Sequence, residues 1–185
     1  MRSFPAGLLF CAALLAGCAS SPNHEEMQAT FDAGLKQYDT GDYKGAYDTW
    51  HKIEDVDLAA LRNEALMLRK GQGVEKDPKA AEKKMLQAAD MGLVTAQADL
   101  GEMLLDGEAG PRDVAAAIPW LSRAAAANHP IAAFQLGKLY EDGDGVPKDL
   151  ETARRLYQTA AKAGLEEAAE KLRALPPPPP AQTSH

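Results

Sequence analysis

The chain repeats itself every 36 residues without a gap. Shifted by that period, Ala60, Ala96, Ala132 and Ala168 align, as do Gly71, Gly107 and Gly143. Asp77, Asp113 and Asp149 share a column, and Ala81, Ala117 and Ala153 share another. The pairs Ala88-Ala89, Ala124-Ala125 and Ala160-Ala161 fall together, and Gly92, Asn128 and Gly164 close each unit. A period of this size marks a stack of supersecondary units, none of which can bury its apolar side alone. Drawn from the alanine column, the units run 60–95, 96–131 and 132–167.

Each unit reads as two helices. Ala132, Leu136 and Tyr140 recur at four-residue spacing along a first helix, helix A, which Gly143 and Gly145 end. Asp149 offers an N-cap oxygen to a second, helix B, and in the first unit the equivalent Asp77 precedes Pro78, the favoured first helical residue. Helix B carries Ala153, Leu156, Tyr157, Ala160 and Ala161 inward. Gly164 and its equivalents suit a left-handed helix end, with asparagine the usual second choice. Small residues at so many columns let neighbouring helices approach closely.

Before the repeats, residues 27–59 hold a degenerate hairpin: Phe31, Leu35 and Tyr38 face one way, Gly41-Asp42-Tyr43 make a short turn, and Ala46, Tyr47 and Trp50 follow. After them, 168–175 read as a capping helix, with Leu172 in the leucine column of helix A. Residues 18–26 read as a polar tether and 176–185 as a proline-rich tail of polyproline II character. The expected fold is an all-α, right-handed α-solenoid of antiparallel helix hairpins.

The unit resembles that of the Sel1-like repeat family, relatives of the tetratricopeptide repeats. The third unit, "AAFQLGKLYEDGDGVPKDLETARRLYQTAAKAG", carries the resemblance best. The second departs at Leu104 and carries a Gly107-Glu108-Ala109-Gly110-Pro111 loop. The first places Glu64 where the others have Leu100 and Leu136. A carboxylate there is either a costly buried charge, exposed by loose packing, or paired with Lys83 or Lys84.

The first residues, "MRSFPAGLLFCAALLAGC", join a positive start to a short apolar run, the pattern of a secretory signal over 1–17. Leu15-Ala16-Gly17-Cys18 resembles the lipobox of bacterial lipoproteins, which implies lipidation at Cys18. Ala19, in place of the Asp that retains such proteins at the inner membrane, implies the outer membrane, facing the periplasm. With Cys11 in the signal and Cys18 lipidated, the folded part has no thiol for a disulfide, a metal or catalysis.

Net charge of −7 argues against nucleic acid. "YEDGDGVPKD" at 140–149 is acidic, but counted from Asp142 it places Val146 where a calcium loop needs an oxygen. Its glycines and Asp149 already serve the repeat, so it reads as a turn between helices. The four histidines are dispersed, Ser122 has no nucleophile elbow around it, and no phosphate-binding glycine pattern occurs. No metal, cofactor or catalytic residue is expected, and the chain reads as a non-enzyme.

Binding is expected on the concave side, through helix A positions not packed on helix B: Asn63, Leu66, Asp99, Glu102, Gln135 and Lys138. Lys76, Lys79, Lys83 and Lys84 make the first unit net +2, a candidate basic patch between acidic flanks. These features favour an envelope scaffold for protein partners. The alternative is an immunity protein against a toxic periplasmic effector. A hydrolase of cell-wall or β-lactam substrates, suggested by cysteine-rich members of the family, stands third, because those members carry a cysteine pair per repeat. Cys18→Ser should abolish labelling by a fatty-acid probe and release the protein from membranes; a variant that stays bound, in cells whose wild type never labels, would refute the anchor.

Overall fold

The computed structural model describes residues 23–177. The segment read as a signal, Cys18 and the tail from residue 178 lie outside them. The described residues form a helical solenoid of hairpins: α1 (His24–Asp39) with α2 (Tyr43–Trp50), α3 (Leu58–Lys70) with α4 (Pro78–Asp90), α5 (Val94–Asp106) with α6 (Val114–Ala126), α7 (Pro130–Asp142) with α8 (Leu150–Lys162), and then α9 (Glu166–Ala174). Each helix packs chiefly on its neighbours in the chain. Among these residues no helix is long and apolar enough to cross a membrane.

Helix A starts at Leu58, Val94 and Pro130, two residues ahead of the alanine column. That column marks the first fully buried residue of the helix rather than its first residue. The capping helix likewise starts at Glu166 rather than 168. At the other end α1 reaches back to His24, into the stretch read as tether. Asn23 caps it by accepting from the Glu26 amide while Glu26 accepts from the Asn23 amide, a capping box that the sequence spells as N-x-x-E.

The loops repeat bond for bond. Gly71, Gly107 and Gly143 take left-handed conformations, and each donates to the carbonyl four residues back. The amides of Asp77, Asp113 and Asp149 then donate to Leu68, Leu104 and Tyr140, folding each loop onto the end of its own helix A. Their carboxylates cap helix B. Between units, Gly92, Asn128 and Gly164 all have positive φ. The acidic 140–149 stretch is therefore a helix end, a close turn and a cap. A Cβ on its Gly145 would stand 2.5 Å from Val114 Cγ1, so this turn packs directly onto the preceding helix B.

The core is built from alanine columns, from leucines and methionines of helix A, and from one bulky helix B side chain in each hairpin. Ala60, Ala96, Ala132 and Ala168 are fully buried, as are Ala81, Ala117 and Ala153. Against helix A lies a bulky residue of helix B: Tyr157 meets Gly137, Leu121 meets Gly101, and in the cap hairpin Trp50 meets Gly34. A Cβ at these glycines would come within 2.7, 2.6 and 2.4 Å of those side chains. Trp50 donates its indole N–H to the Phe31 carbonyl at 3.2 Å, and the Tyr157 hydroxyl donates to Glu141 at 2.5 Å. Both anchors are thus fixed at the tip as well as packed. Gly137→Ala gains about 1 kcal/mol of helix propensity. Displacing the pinned Tyr157 ring should outweigh that gain. A net loss of about 1–3 kcal/mol in urea unfolding is expected, whereas Gly137→Ala with no loss would show that the ring can move aside.

Candidate functional site

Each expected helix A position lies on α3, α5 or α7, but their surroundings differ. Asp99 is held by Arg62, whose Nε donates to it at 2.5 Å from the preceding helix A. Glu102 faces Arg69 at 3.4 Å, and Arg69 grips Glu108 in a fork, its Nε 2.9 and 2.7 Å from the two carboxylate oxygens. These bonds push the Arg69 guanidinium further above its ordinary value, Glu108 contributing most. Asp99 and Glu102 are therefore staples between consecutive units before they are anything else. Asn63, Leu66 and Gln135 are half-buried, while Lys138 is exposed, its ammonium 5.9 Å from the centre of the Phe134 ring. Arg62 and Arg69 escaped the sequence reading because their partners lie 37 and 39 residues away, just off the 36-residue register.

Of the expected basic patch, Lys76, Lys79 and Lys83 are exposed. Lys84 does not belong with them. Its ammonium bonds Glu54 and stands 3.0 Å from Glu64 Oε2, only 21% of its side chain exposed. The rotation of about 100° between consecutive helical residues sends Lys83 to solvent and Lys84 into the seam between the cap hairpin and the first repeat.

Glu64 is wholly buried, in the column that Leu100 and Leu136 fill elsewhere. Around it stand Tyr47 of α2, His51 at the C-terminal cap of α2, Glu54 of the following turn and Lys84 of α4. His51 Nδ1 is 3.1 Å from Glu54 and 3.4 Å from Glu64, and its ring stacks on Tyr47 at 10°. Glu64 Oε1 has no hydrogen-bond partner. Ligand atoms of His51, Glu54 and Glu64 lie within 4.8 Å of one another, a spacing that could hold a metal ion. Lys84 already supplies the cation: its ammonium contacts both carboxylates, and a metal ion in that space would meet it at close range.

Burial first, and then Glu54 beside it, push the Glu64 carboxyl from 4.5 up to about 7, with Lys84 pulling the other way. Glu54 is also partly desolvated, but Lys84 holds it below its ordinary value. Tyr47 is raised by burial and by Glu64. The cluster therefore contains one ionised carboxylate, one carboxyl that keeps its proton towards neutrality, and the ammonium between them.

Residues 58–93, 94–129 and 130–165 each match the Sel1 repeat. A crystal structure of a Sel1 repeat protein from Oxalobacter formigenes shares 36% identity with the chain at a TM-score of 0.73, covering 77% of this chain and 58% of that one. The c5321 protein, a protective antigen present in uropathogenic Escherichia coli strains, shares 29% identity at a TM-score of 0.75, covering 80% of this chain and 32% of its own. The chain thus spans 58% and 32% of the lengths of these two. Immunity protein Pa5087 from Pseudomonas aeruginosa has the same fold at 24% identity and a TM-score of 0.57, covering 82% of this chain and 59% of that one. No curated protein matches the chain.

The proton on Glu64 gives a pH signature. The folded state holds a proton that the unfolded chain releases from 4.5 upward, so this stabilisation is complete below 4.5 and is lost as pH rises to about 7. Relative to Glu64→Gln, the wild type should lose up to about 3 kcal/mol in urea unfolding across that window. Parallel profiles would refute the retained proton on Glu64. Glu64→Leu completes the leucine column and leaves Lys84 paired with Glu54, and it should exceed wild-type stability at neutral pH by about 1–3 kcal/mol.

Proposed function

Because the chain belongs to the Sel1 repeat family, we propose that it is a lipid-anchored scaffold of the bacterial envelope that binds protein partners through the helix A face. Sel1 repeats serve protein–protein interaction. The observation that carries the reading is the set of side chains that the first and third repeats leave at least partly exposed on α3 and α7: Asn63, Leu66, Gln135 and Lys138. A rigid array holds such a set in fixed geometry, so a partner meets it without an ordering cost to the array. The lipobox at Leu15–Cys18 supports anchoring at the outer membrane, facing the periplasm. Confinement there raises the effective concentration of any partner held at the same surface. The scaffold acts without chemistry of its own. The polar cluster around Glu64 lies in a helix seam, and Glu64 itself is shut off from water.

Affinity capture of the tagged protein from its own cells, read by mass spectrometry, tests this reading. The discriminating variant is Lys138→Glu with Gln135→Lys. Asp99 and Glu102 make poor controls, because their reversal also breaks the Arg62 and Arg69 staples. Several envelope proteins, lost together in the variant, are the expected outcome. One very tight partner that is toxic when the protein is removed would instead mark an immunity protein, the class of the Pseudomonas aeruginosa protein of the same fold. Capture unchanged by the variant would refute the helix A face.

A further inference from the structure

A slot of about 170 Å³ opens between α1 and α3, where the cap hairpin meets the first repeat. Trp50 and Met67, both almost wholly buried, are among its lining; Leu35, 39% exposed, and exposed Lys70 stand at its rim. Tyr38, Asn63 and Leu66 complete it.

The polar tips of its aromatics are already engaged. The Tyr38 hydroxyl donates to Gln72 at 3.0 Å, and the Trp50 indole to Phe31. What they offer the slot is ring surface alone. The Asn63 amide has no hydrogen-bond partner and Lys70 no ion pair among the described residues. Next to Lys70, Arg69 is already paired with Glu102, Asp106 and Glu108. In a chain of net charge −7, Lys70 is a cation left open beside an apolar hole.

We propose that this slot is the anchor point of the binding face and takes an extended segment of a partner protein: one large apolar side chain in the slot, with a carboxylate one or two residues away on Lys70. The inference rests on the scaffold reading and names the chemistry of its partner. Size selects the occupant, since sites for small ligands run to about 300–1,000 Å³. A slot of about 170 Å³ suits a single side chain. Geometry selects an extended chain. Asn63 and Lys70 lie two turns apart on one face of α3, about 10 Å at helical rise. About three residues of extended peptide span that distance, with Leu66 between the two polar groups. Asn63 is placed to bond the segment's backbone, and Lys70 its acid. Charge complementarity selects the acid, and the desolvated apolar contact supplies the anchor.

The test is selection of a phage-displayed random 12-residue peptide library on the purified full chain, repeated on Leu66→Glu and Lys70→Glu. Both substituted positions are at least partly exposed, and thermal melting checks that each variant folds. Enriched peptides should share one Leu, Met, Phe or Trp with Asp or Glu within two positions. Their affinity should fall about thirtyfold in Leu66→Glu, the loss expected of a central anchor. Lys70→Glu should replace the selected acids by Lys or Arg. No enrichment, enrichment that survives Leu66→Glu, or acids retained on Lys70→Glu would each overturn the proposal. Selection of proline runs would overturn it in favour of the tail of a second copy. A cellular partner captured equally by wild type and Leu66→Glu would sink the slot and leave the scaffold standing. Peptides that dock as expected, with no partner captured from cells, would do the reverse.

Discussion

The architecture depends on how closely helix A and helix B of one hairpin approach. Gly137, Gly101 and Gly34 have no side chain where Tyr157, Leu121 and Trp50 press against the opposing backbone. The equivalent of Gly101 in the first repeat is Ala65, fully buried, with Met85 in the place of Leu121. A smaller notch there is matched by a flexible, unbranched side chain. Alanine columns around each contact allow a close approach of the helices in every unit. The seven-residue A-to-B loops and the three-residue B-to-A turns repeat the same bonds in every unit.

Where the pattern breaks, the structure compensates locally. The cap hairpin has a short turn and an off-register pair of helices, so the seam between it and the first repeat cannot use the leucine column. Glu64, Glu54, His51 and Lys84 fill it with a polar cluster instead. Such a cluster is a poor source of stability, because desolvation takes back most of what the charges gain. It is a strong source of register, since a shifted hairpin would leave a buried carboxylate with no cation. Beside the same seam the imperfect fit leaves the slot lined by Trp50 and Met67. A stack of identical units would have filled it.

Charge along the helix A face serves two purposes that composition alone does not separate. Arg62 with Asp99, and Arg69 with Glu102 and Glu108, tie one unit to the next. Arg112 and Asp144 do the same between loops. Groups consumed in this way hold the shape of the face, and only the remainder, Lys70 and Lys138 foremost, are open to a partner. Binding and stacking thus draw on the same helix surface, and it is the ion-pair network that divides it.

The repeat, the helices, their caps and the left-handed glycines were all legible in the sequence, because each is set by residues within one period of one another. Local chemistry decides them: aspartate at an N-cap, glycine or asparagine at a helix end, alanine where two helices touch. The frame was read two residues late and the start of α1 was missed, for equally local reasons: the alanine column marks burial rather than capping, and the Asn23–Glu26 box sits outside the repeat. What only the tertiary structure decided is which charged groups meet. Glu64 stood out as an exception to a column, but that it would find Lys84 and Glu54, that Lys83 would stay in solvent, and that Asp99 and Glu102 would be taken by arginines of the preceding helix depend on distances across the stack. The period fixes which residues are equivalent. It does not fix which residues are neighbours, because neighbours in adjacent units are offset by the packing of one helix on the next.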